Sequence, residues 1–522
     1  MKKKILAVML SSILAITALT GCGGAQTGGT SSSGNGKTFI FAQSADPRGL
    51  DPAFVDDGES AKVMCNIYEG LVKYGDNNTN IEPCLAESWD ISEDGTEYTF
   101  KLKEGVKFHD GTDFNADAVV KSVERQLPPN ATDDMPYASF TFNGVKKVEA
   151  VDEHTVKFTL DAPNTPFLAN LAMTLAAPIV SPAALEKNGG NLNECPVGTG
   201  PFKFVSWDKG EKVTIEKNND YWGDKAKVDK VVIKITKESS VRASELMAGE
   251  IDAMDGLDPN DVDKLKEKGI NIFSEPGMNI NYLGFNCERE PFNNPKVREA
   301  IAHAINKDEL VQYLYQGYSD TADTMLPSFV PGYKEGVQNY EYNPDLAKSM
   351  LSELGLSDLN IHMVTYSPSR QYNSVGGQKL AESVQNYLSK IGINSTIDVY
   401  QWTEYKEKIQ QGEGDIFFYG WIGDNGDADN FMSLLDSKQI TASLNSAKYN
   451  NPQFDELLGK AKATPNGDER NAIYGQLQDI AAKDCPWVNL SHAKQMAAYS
   501  PKVKNFYLHP TGSLFFKNID KE

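Results

Sequence analysis

The chain has few of the residues that build metal centres and disulfide frameworks. It contains six histidines and six cysteines in 522 residues, and the histidines are scattered without the spacing of metal ligands. No C-x-x-C pair occurs, and the cysteines outside the N-terminal segment are odd in number. We therefore predict no metal site and no disulfide framework from these cysteines, which are Cys65, Cys84, Cys195, Cys287 and Cys485.

Sequence signatures of common enzymes are also absent. The chain has no G-x-S-x-G, no H-E-x-x-H, no P-loop and no dinucleotide-binding fingerprint. The segment from Ser491 to Lys494 fits the S-x-x-K pattern of penicillin-recognising enzymes, but neither K-T-G nor S-D-N accompanies it. We predict a protein that is not an enzyme and needs no cofactor, with an S-x-x-K serine hydrolase as the alternative.

Positive charge and long apolar runs are scarce. Lysine and arginine number 51 against 72 aspartates and glutamates, which gives a formal net charge of −21. An acidic chain repels phosphate, so nucleic acid is not expected as a partner. Past the N-terminal segment, no stretch is apolar enough to span a bilayer.

The N-terminal segment has the organisation of an export signal. Three lysines precede an apolar stretch over about residues 5–19, which is too short for a membrane-spanning helix. The sequence Leu19-Thr20-Gly21-Cys22 resembles the bacterial lipoprotein signal, in which the cysteine is lipidated and becomes the mature N-terminus. The resemblance implies a signal peptide over residues 1–21, a lipidated Cys22, and a Gly/Ser/Thr-rich flexible tether over 22–36. The rest of the protein would then lie at the extracytoplasmic face of the cell membrane.

An alternation of strands and helices is visible between residues 361 and 422. Strand-like runs at about 361–366, 393–400 and 415–421 are separated by two stretches whose apolar residues have helical spacing. Gly392 and Gly412 stand where each helix would end. Because such crossovers are nearly always right-handed and parallel, the pattern predicts an α/β fold with a parallel sheet.

The loops that follow these three strands contain a cation, an aromatic residue and an anion, namely Arg370, Trp402 and Asp424. Small molecules bind beyond the carboxyl ends of the strands in such sheets, where these loops meet. Taken locally, Asp424 is equally compatible with an ordinary turn, because Asp-Asn-Gly-Asp is typical of turns. We interpret Asp427 and Asp429 as turn and cap residues.

Other segments give simpler predictions. We expect a strand over about 38–43, a helix over about 61–68, and a sheet with one solvated face between residues 83 and 160. Asn294-Pro295 starts a helix with proline at its first position, and Asn306 opens another in a capping box.

Several motifs, in order along the chain, resemble those of the bacterial extracellular solute-binding proteins of family five, which include the peptide- and nickel-binding receptors of ABC importers. The motifs are Pro83–Asp90, Tyr98–Gly111, Pro196–Phe202, Tyr221-Trp222 and Asn294–Ala300. The segment Gly420–Phe431 is most similar to the dipeptide-binding members.

The resemblance implies a two-lobed periplasmic-binding-protein-like α/β fold, of type II and cluster C, with an extra domain in the first lobe. Lobe one would comprise residues 37–68, 197–282 and 492–522. The extra domain would cover 69–196 and lobe two 283–491. The ligand would lie between the lobes.

The resemblance also implies a function and a site. The protein would be a monomer that captures short peptides, most of all dipeptides, and delivers them to ABC permease transmembrane subunits with their ATPase subunits. In dipeptide-binding members an aspartate binds the ligand amine and an arginine binds its carboxylate; the matching residues are Asp424 and Arg370. Receptors for nickel or a metal chelate, glutathione or haem remain alternatives.

Five further residues complete the predicted ligand site. We expect Trp402 in the cleft wall, Trp421 in the core or the wall, and Tyr372 in the shaped loop after Arg370. Ahead of the first helix, Gly58 and Ser60 would offer a backbone amide or a hydroxyl to the ligand.

Overall fold

The computed structural model describes residues 36–337, 340–367, 369–441 and 444–522. The predicted signal peptide, Cys22 and the tether up to residue 35 lie outside the described residues. Within the part of the chain that is described, no helix combines the length and the apolar character that a membrane crossing requires.

Strands and helices are interspersed along the described part of the chain. In chain order, the strands are β1 Thr38–Gln43, β2 Val72–Tyr74, β3 Ile81–Pro83, β4 Ala86–Ile91, β5 Glu97–Leu102, β6 Val145–Asp152, β7 Thr155–Leu160, β8 Phe202–Asp208, β9 Lys212–Lys217, β10 Lys230–Ile235, β11 Ala253–Asp255, β12 Asn271–Pro276, β13 Asn279–Phe285, β14 Ser319–Thr321, β15 Asn360–Tyr366, β16 Asn394–Tyr400, β17 Ile416–Ile422, β18 Trp487–Tyr499, β19 Val503–Lys504 and β20 Asp520–Lys521. The helices are α1 Gly58–Met64, α2 Ala116–Glu124, α3 Ala138–Thr141, α4 Phe167–Leu171, α5 Pro182–Lys187, α6 Ser239–Ala248, α7 Val262–Glu267, α8 Pro295–His303, α9 Lys307–Tyr315, α10 Pro344–Glu353, α11 Gly377–Lys390, α12 Trp402–Gln410, α13 Ala428–Met432, α14 Pro452–Ala463 and α15 Asp468–Asp484.

The strand-helix alternation predicted for residues 361–422 is confirmed. Strand β15 pairs in parallel with β16 on one side and with β17 on the other, and α11 and α12 are the two crossovers. Gly392 follows the C-cap of α11 with φ at 87°, a left-handed conformation that glycine adopts without steric cost. The loops after β15, β16 and β17 therefore open on one edge of the sheet, as the sequence predicts.

One twelve-stranded sheet runs through most of the molecule, in the order β16-β15-β17-β13-β18-β11-β1-β10-β9-β8, with β12 and β14 also paired to β18. The long strand β18 joins its two halves. Its first residues pair with β13 and β14, and its last residues pair with β11 and β12. A second connection lies between β12 and β13, which are separated only by Gly277 and Met278.

Each half of this sheet has its own hydrophobic core. One core draws its buried residues from 278–490, and a second draws them from residues 39–68, 180–233 and 497–519, with Ala253 and Phe273. We therefore propose that the first core marks lobe two and the second lobe one, names used in this sense below, and that the chain passes between them at Gly277–Met278 and along β18. The predicted boundary after Tyr282 lies inside β13, whose residues Ile280 and Tyr282 belong to the lobe-two core.

A separate four-stranded antiparallel sheet, in the order β4-β5-β7-β6, occupies the predicted extra domain. On β5, Tyr98, Phe100 and Leu102 are buried, whereas Lys101 between them is exposed. This alternation confirms the predicted sheet with one solvated face. We propose residues 69–196 as the extra domain and use that name below.

The start of the first helix differs from the prediction. Helix α1 begins at Gly58 rather than near Ala61, because the Asp57 side chain accepts a hydrogen bond from the Ser60 amide and caps it. Gly58 and Ser60 thus lie in the first turn of the helix, not ahead of it. The predicted starts at Pro295 and at the Asn306 cap are confirmed.

Candidate functional site

A cavity of about 1270 Å³ opens at the sheet edge where the loops after β15 and β17 meet. Residues of lobe one, the extra domain and lobe two line it together. They include Gly58 of α1, Tyr137 of the extra domain, and Arg370 and Asp424 of lobe two. No histidine or cysteine is among the described residues that line the cavity.

The carboxylate of Asp424 is held by neutral donors. The Tyr137 hydroxyl donates to Oδ1 at 2.8 Å, and the Asn430 amide donates to Oδ2 at 3.2 Å. No described lysine, arginine or histidine forms an ion pair with Asp424. Burial raises the pKa of this carboxyl, and the two hydrogen bonds oppose the rise. The site thus presents a carboxylate without a counter-charge.

Asn430 is locked in the orientation that this arrangement needs. Its carbonyl oxygen accepts from Trp421 Nε1 at 2.8 Å and from the Asp424 backbone amide at 3.1 Å. Because the oxygen side of the amide is occupied by two donors, the nitrogen side must face the Asp424 carboxylate. Trp421 therefore acts on the site through Asn430.

The other two aspartates of the same loop have counter-charges. Arg470 makes two hydrogen bonds to Asp427, at 2.6 and 2.9 Å, and both side chains are buried. Asp427 also caps α13, as the sequence predicts. Asp429 lies 3.5 Å from Lys462 Nζ and outside the cavity. Of the three aspartates, only Asp424 brings an unpaired charge to the cavity.

Arg370 brings a positive charge to the same cavity. Its guanidinium lies over the Trp402 ring, 3.9 Å from the ring centroid, and its buried Nε has no hydrogen-bond partner among the described residues. Within the described residues it forms no ion pair. The aromatic surface holds the flat guanidinium while its N–H edge stays available to an anion.

The other positively charged residues that line the cavity are ion-paired, hydrogen-bonded to the backbone or exposed to solvent. Lys62 is paired with Asp255 and Glu59, and Lys494 lies 2.9 Å from Asp320. Arg242 donates to four backbone carbonyls. Lys379 has no described ion pair either, but it is exposed to solvent. Arg370 is therefore the partly buried cation that a carboxylate would neutralise.

Tyr372 is packed in the interior and supports the loop that contains Arg370. It is 3 % exposed, and its ring packs edge-on against Tyr366. Gly420 of β17 permits this packing, because a Cβ at that position would lie 2.3 Å from the Tyr372 ring. Arg370 and Asn373 also exchange backbone hydrogen bonds at 2.9 and 2.8 Å, which closes the loop between them.

The predicted site residues are thus only partly brought together. Asp424, Arg370 and Gly58 line the cavity, whereas Trp402, Trp421, Tyr372 and Ser60 do not. Ser60 is fully buried, and its hydroxyl donates to the Asp57 carboxylate at 2.7 Å. Trp402 instead stacks on the Arg370 guanidinium. Trp421 donates to Asn430, which in turn donates to Asp424.

The loop after β17 is docked on the extra domain, a contact that sequence reasoning missed. The Tyr74 hydroxyl donates to the Asn425 carbonyl at 2.8 Å, and the Thr79 hydroxyl donates to the Gly426 carbonyl at 3.0 Å. The Asn425 amide donates to Asn170 at 2.6 Å. These contacts join segments more than 250 residues apart, so no local pattern signals them.

The two alternative chemistries find little support. A candidate metal group among the described residues, His362, Asp398 and Glu413, lies outside the cavity, and Lys408 Nζ is 3.0 Å from Glu413. Ser491 and Lys494 are three positions apart on strand β18, so their side chains point to opposite faces rather than toward each other.

Comparisons with known proteins identify the family of the chain. The family model described as "Bacterial extracellular solute-binding proteins, family 5 Middle" matches residues 80–443, more than half of the chain. The chain belongs to this family. The resemblance that the sequence motifs predict and the two-lobed α/β class are thereby confirmed.

Relatives of this family 5 protein differ in the ligands that their names state. It is 35 % identical to heme-binding protein A of Haemophilus influenzae, over 94 % of this chain and 92 % of that one. It is 34 % identical to the dipeptide-binding protein of Escherichia coli, over 93 % and 95 %. The structure of a Pseudoalteromonas dipeptide-binding protein in complex with Met-Leu matches with a TM-score of 0.77 and 30 % identity, over 93 % of this chain and 100 % of that one.

Proposed function

We propose that this family 5 protein is the substrate-binding lipoprotein of an ABC importer and that it captures short peptides, dipeptides above all. One observation carries the proposal. Asp424 and Arg370 have opposite charges, neither has a described counter-charge, and both line the same cavity. A ligand with one ammonium and one carboxylate would neutralise both.

The physical logic is that of a zwitterion held at its two ends. Arginine suits a carboxylate because its planar fork makes two parallel hydrogen bonds. The Asp424 carboxylate suits an α-ammonium, and a cavity poor in water strengthens both interactions. Such a site recognises peptides irrespective of their side chains.

Two fixed charges also limit the length of the ligand. Two extended residues span only about 7 Å, so the proposal requires the two charged groups to lie about that far apart around a bound dipeptide. The rest of the cavity, which measures about 1270 Å³ in total, would hold the side chains together with bridging water.

The alternatives within the family fit less well. Haem presents carboxylates but no ammonium, so the Asp424 charge would repel it. A bare nickel ion usually needs histidine or cysteine, and none of the described residues that line the cavity is either. A metal chelate brings its own ligands, so it must be tested directly. Glutathione has an ammonium and two carboxylates, so it fits the two charges in part and must be tested directly.

A thermal-shift panel tests the ligand class, because a ligand that binds the folded state raises stability by mass action. We expect dipeptides with free ends to raise the melting temperature most. Single amino acids, glutathione, haem and nickel should shift it less. A shift produced by haem or nickel and by no peptide would overturn the proposal.

Membrane anchoring is a further part of the proposal. We infer that Cys22 is lipidated and tethers the protein to the extracytoplasmic face of the cell membrane, where it serves, as a monomer, the permease transmembrane subunits and their ATPase subunits. The support is the sequence Leu19-Thr20-Gly21-Cys22 and the tether after it.

Cys22→Ala should release the protein from the membrane fraction or leave it unprocessed. The matched control is Cys195→Ala, which removes an exposed thiol elsewhere in the chain. Fractionation followed by mass spectrometry of the N-terminus measures both outcomes. Normal processing with full membrane retention of Cys22→Ala would rule out the anchor.

A further inference from the structure

The carboxylate of Asp424 is bound from two sides of the cleft. Asn430 comes from its own loop, but Tyr137 comes from the extra domain, 287 positions away in the chain. Tyr137 immediately precedes the short helix α3, lines the cavity and is partly buried. Its hydroxyl is the one described group outside the Asp424 loop that donates to this carboxylate.

The hydroxyl matters because, among the described residues, no charged group helps Asp424 to stay ionised. Burial raises the pKa values of Asp424, Tyr137 and Tyr74, and the negative charge of Asp424 raises those of the two tyrosines further. The other titratable groups described near these side chains are the acidic Asp56 and Asp427, and His509, whose ring stacks on Tyr74 and whose pKa is lowered by burial. Neutral donors are therefore the main stabilisation of the anion before a ligand arrives.

We propose that Tyr137 is a positioning residue of the ligand site: its hydroxyl fixes the Asp424 carboxylate, ionised and facing the cavity, so that the extra domain completes the amine-binding half of the site. The inference rests on the proposed function in that it takes the ligand group at Asp424 to be an ammonium. It assigns a ligand-site role to the extra domain.

Tyr74 provides a matched control within the same domain. It also lines the cavity and contacts the same loop, but its hydroxyl donates to the backbone carbonyls of Ala169 and Asn425. Tyr74→Phe therefore weakens the docking of the loop and leaves the hydrogen bond to the Asp424 carboxylate in place. Tyr137→Phe removes that bond with the same chemical change.

The first measurement needs no ligand. Carbon-13 NMR of the full-length mature protein labelled at aspartate carboxyls reports the titration of Asp424, whose signal is assigned by its absence in Asp424→Asn. We expect the midpoint to move to higher pH in Tyr137→Phe and to stay at the wild-type value in Tyr74→Phe. An unchanged midpoint in Tyr137→Phe, or an equal change in Tyr74→Phe, would overturn the proposal.

The second measurement is calorimetry with an unblocked dipeptide at a series of pH values that spans the Asp424 midpoints found by NMR. An ammonium binds the ionised carboxylate, so affinity falls as Asp424 becomes protonated, and the fall begins at higher pH in Tyr137→Phe. We expect roughly 10-fold weaker binding than wild type at the acidic end, the effect of one hydrogen bond to a charged group, and near-wild-type binding at the alkaline end. If the ratio of the wild-type affinity to the Tyr137→Phe affinity is the same at every pH, the positioning role is contradicted.

The two measurements separate the two ideas. If no dipeptide binds to any of the proteins while the NMR midpoints differ as expected, the proposed ligand is wrong and the role of Tyr137 stands. If dipeptides bind and the midpoints coincide, the ligand class stands and the role of Tyr137 is wrong.

Discussion

Asp424→Asn should weaken the binding of an unblocked dipeptide by roughly 10²- to 10³-fold. Removing one partner of a desolvated ion pair costs about 3–5 kcal/mol, because the other charge remains buried alone. In this site the charge left alone is the ligand ammonium. Isothermal titration calorimetry at about pH 8, where the Asp424 carboxyl is ionised in the wild type, measures the loss.

The substitution keeps the shape of the side chain, but Tyr137 and Asn430 donate to different oxygen atoms of Asp424, and asparagine has an oxygen at only one of these two positions. A melting curve must therefore show that Asp424→Asn is folded. Asp429→Asn is the matched control, since it removes a charge from the same loop outside the cavity. It should bind within about 3-fold of wild type. N-acetylation of the dipeptide should strongly weaken its binding to wild type and hardly change its binding to Asp424→Asn, because both changes remove the same interaction.

Arg370→Met should give a loss of the same order, roughly 10²- to 10³-fold, for the opposite end of the ligand. Methionine keeps an apolar contact with the Trp402 ring and removes only the fork of donors. C-amidation of the dipeptide should then weaken binding to wild type strongly and binding to Arg370→Met little. Calorimetry of both peptides against both proteins measures the coupling.

Arg289→Met is the control for this change, because Arg289 lies in the same lobe, outside the cavity, and its ion pair with Asp415 is partly exposed. Near-wild-type affinity of Arg370→Met for the unblocked dipeptide would show that the ligand carboxylate binds elsewhere. The same result with both Asp424→Asn and Arg370→Met would remove the two-ended site altogether.

Local patterns are sufficient to predict the framework of the site. The strands β15, β16 and β17 follow from apolar runs, and the ends of α11 and α12 follow from Gly392 and Gly412. Both signals act within a few residues of chain, so they can be recognised without the tertiary structure. The predicted start of α1 is too late because it does not take the capping by Asp57 into account.

The choice among the loop aspartates depends on contacts that the local sequence does not contain. Asp427 is neutralised by Arg470, which lies 43 positions further along the chain, and Asp429 lies beside Lys462. Before folding, Asp424 is one of several acidic turn residues. It becomes distinct only when helices α14 and α15 bring counter-charges to its neighbours and none to it.

The role of Tyr137 is even harder to predict from the local sequence. Its segment has no apolar periodicity and no motif, and its partner is in another domain. The docking of the β17 loop on the extra domain, which is shared among Tyr74, Thr79 and Asn170, brings the two together. Contacts of this kind are set by tertiary packing and need a structure to be found.

A crystal structure of the protein with an unmodified dipeptide is the most direct test of the account. We expect the ligand ammonium within hydrogen-bond distance, about 3 Å, of the Asp424 carboxylate, and the ligand carboxylate on the fork of Arg370. The Tyr137 hydroxyl should still donate to Asp424. A peptide bound in the cavity with neither charged end on these two residues would contradict the central claim.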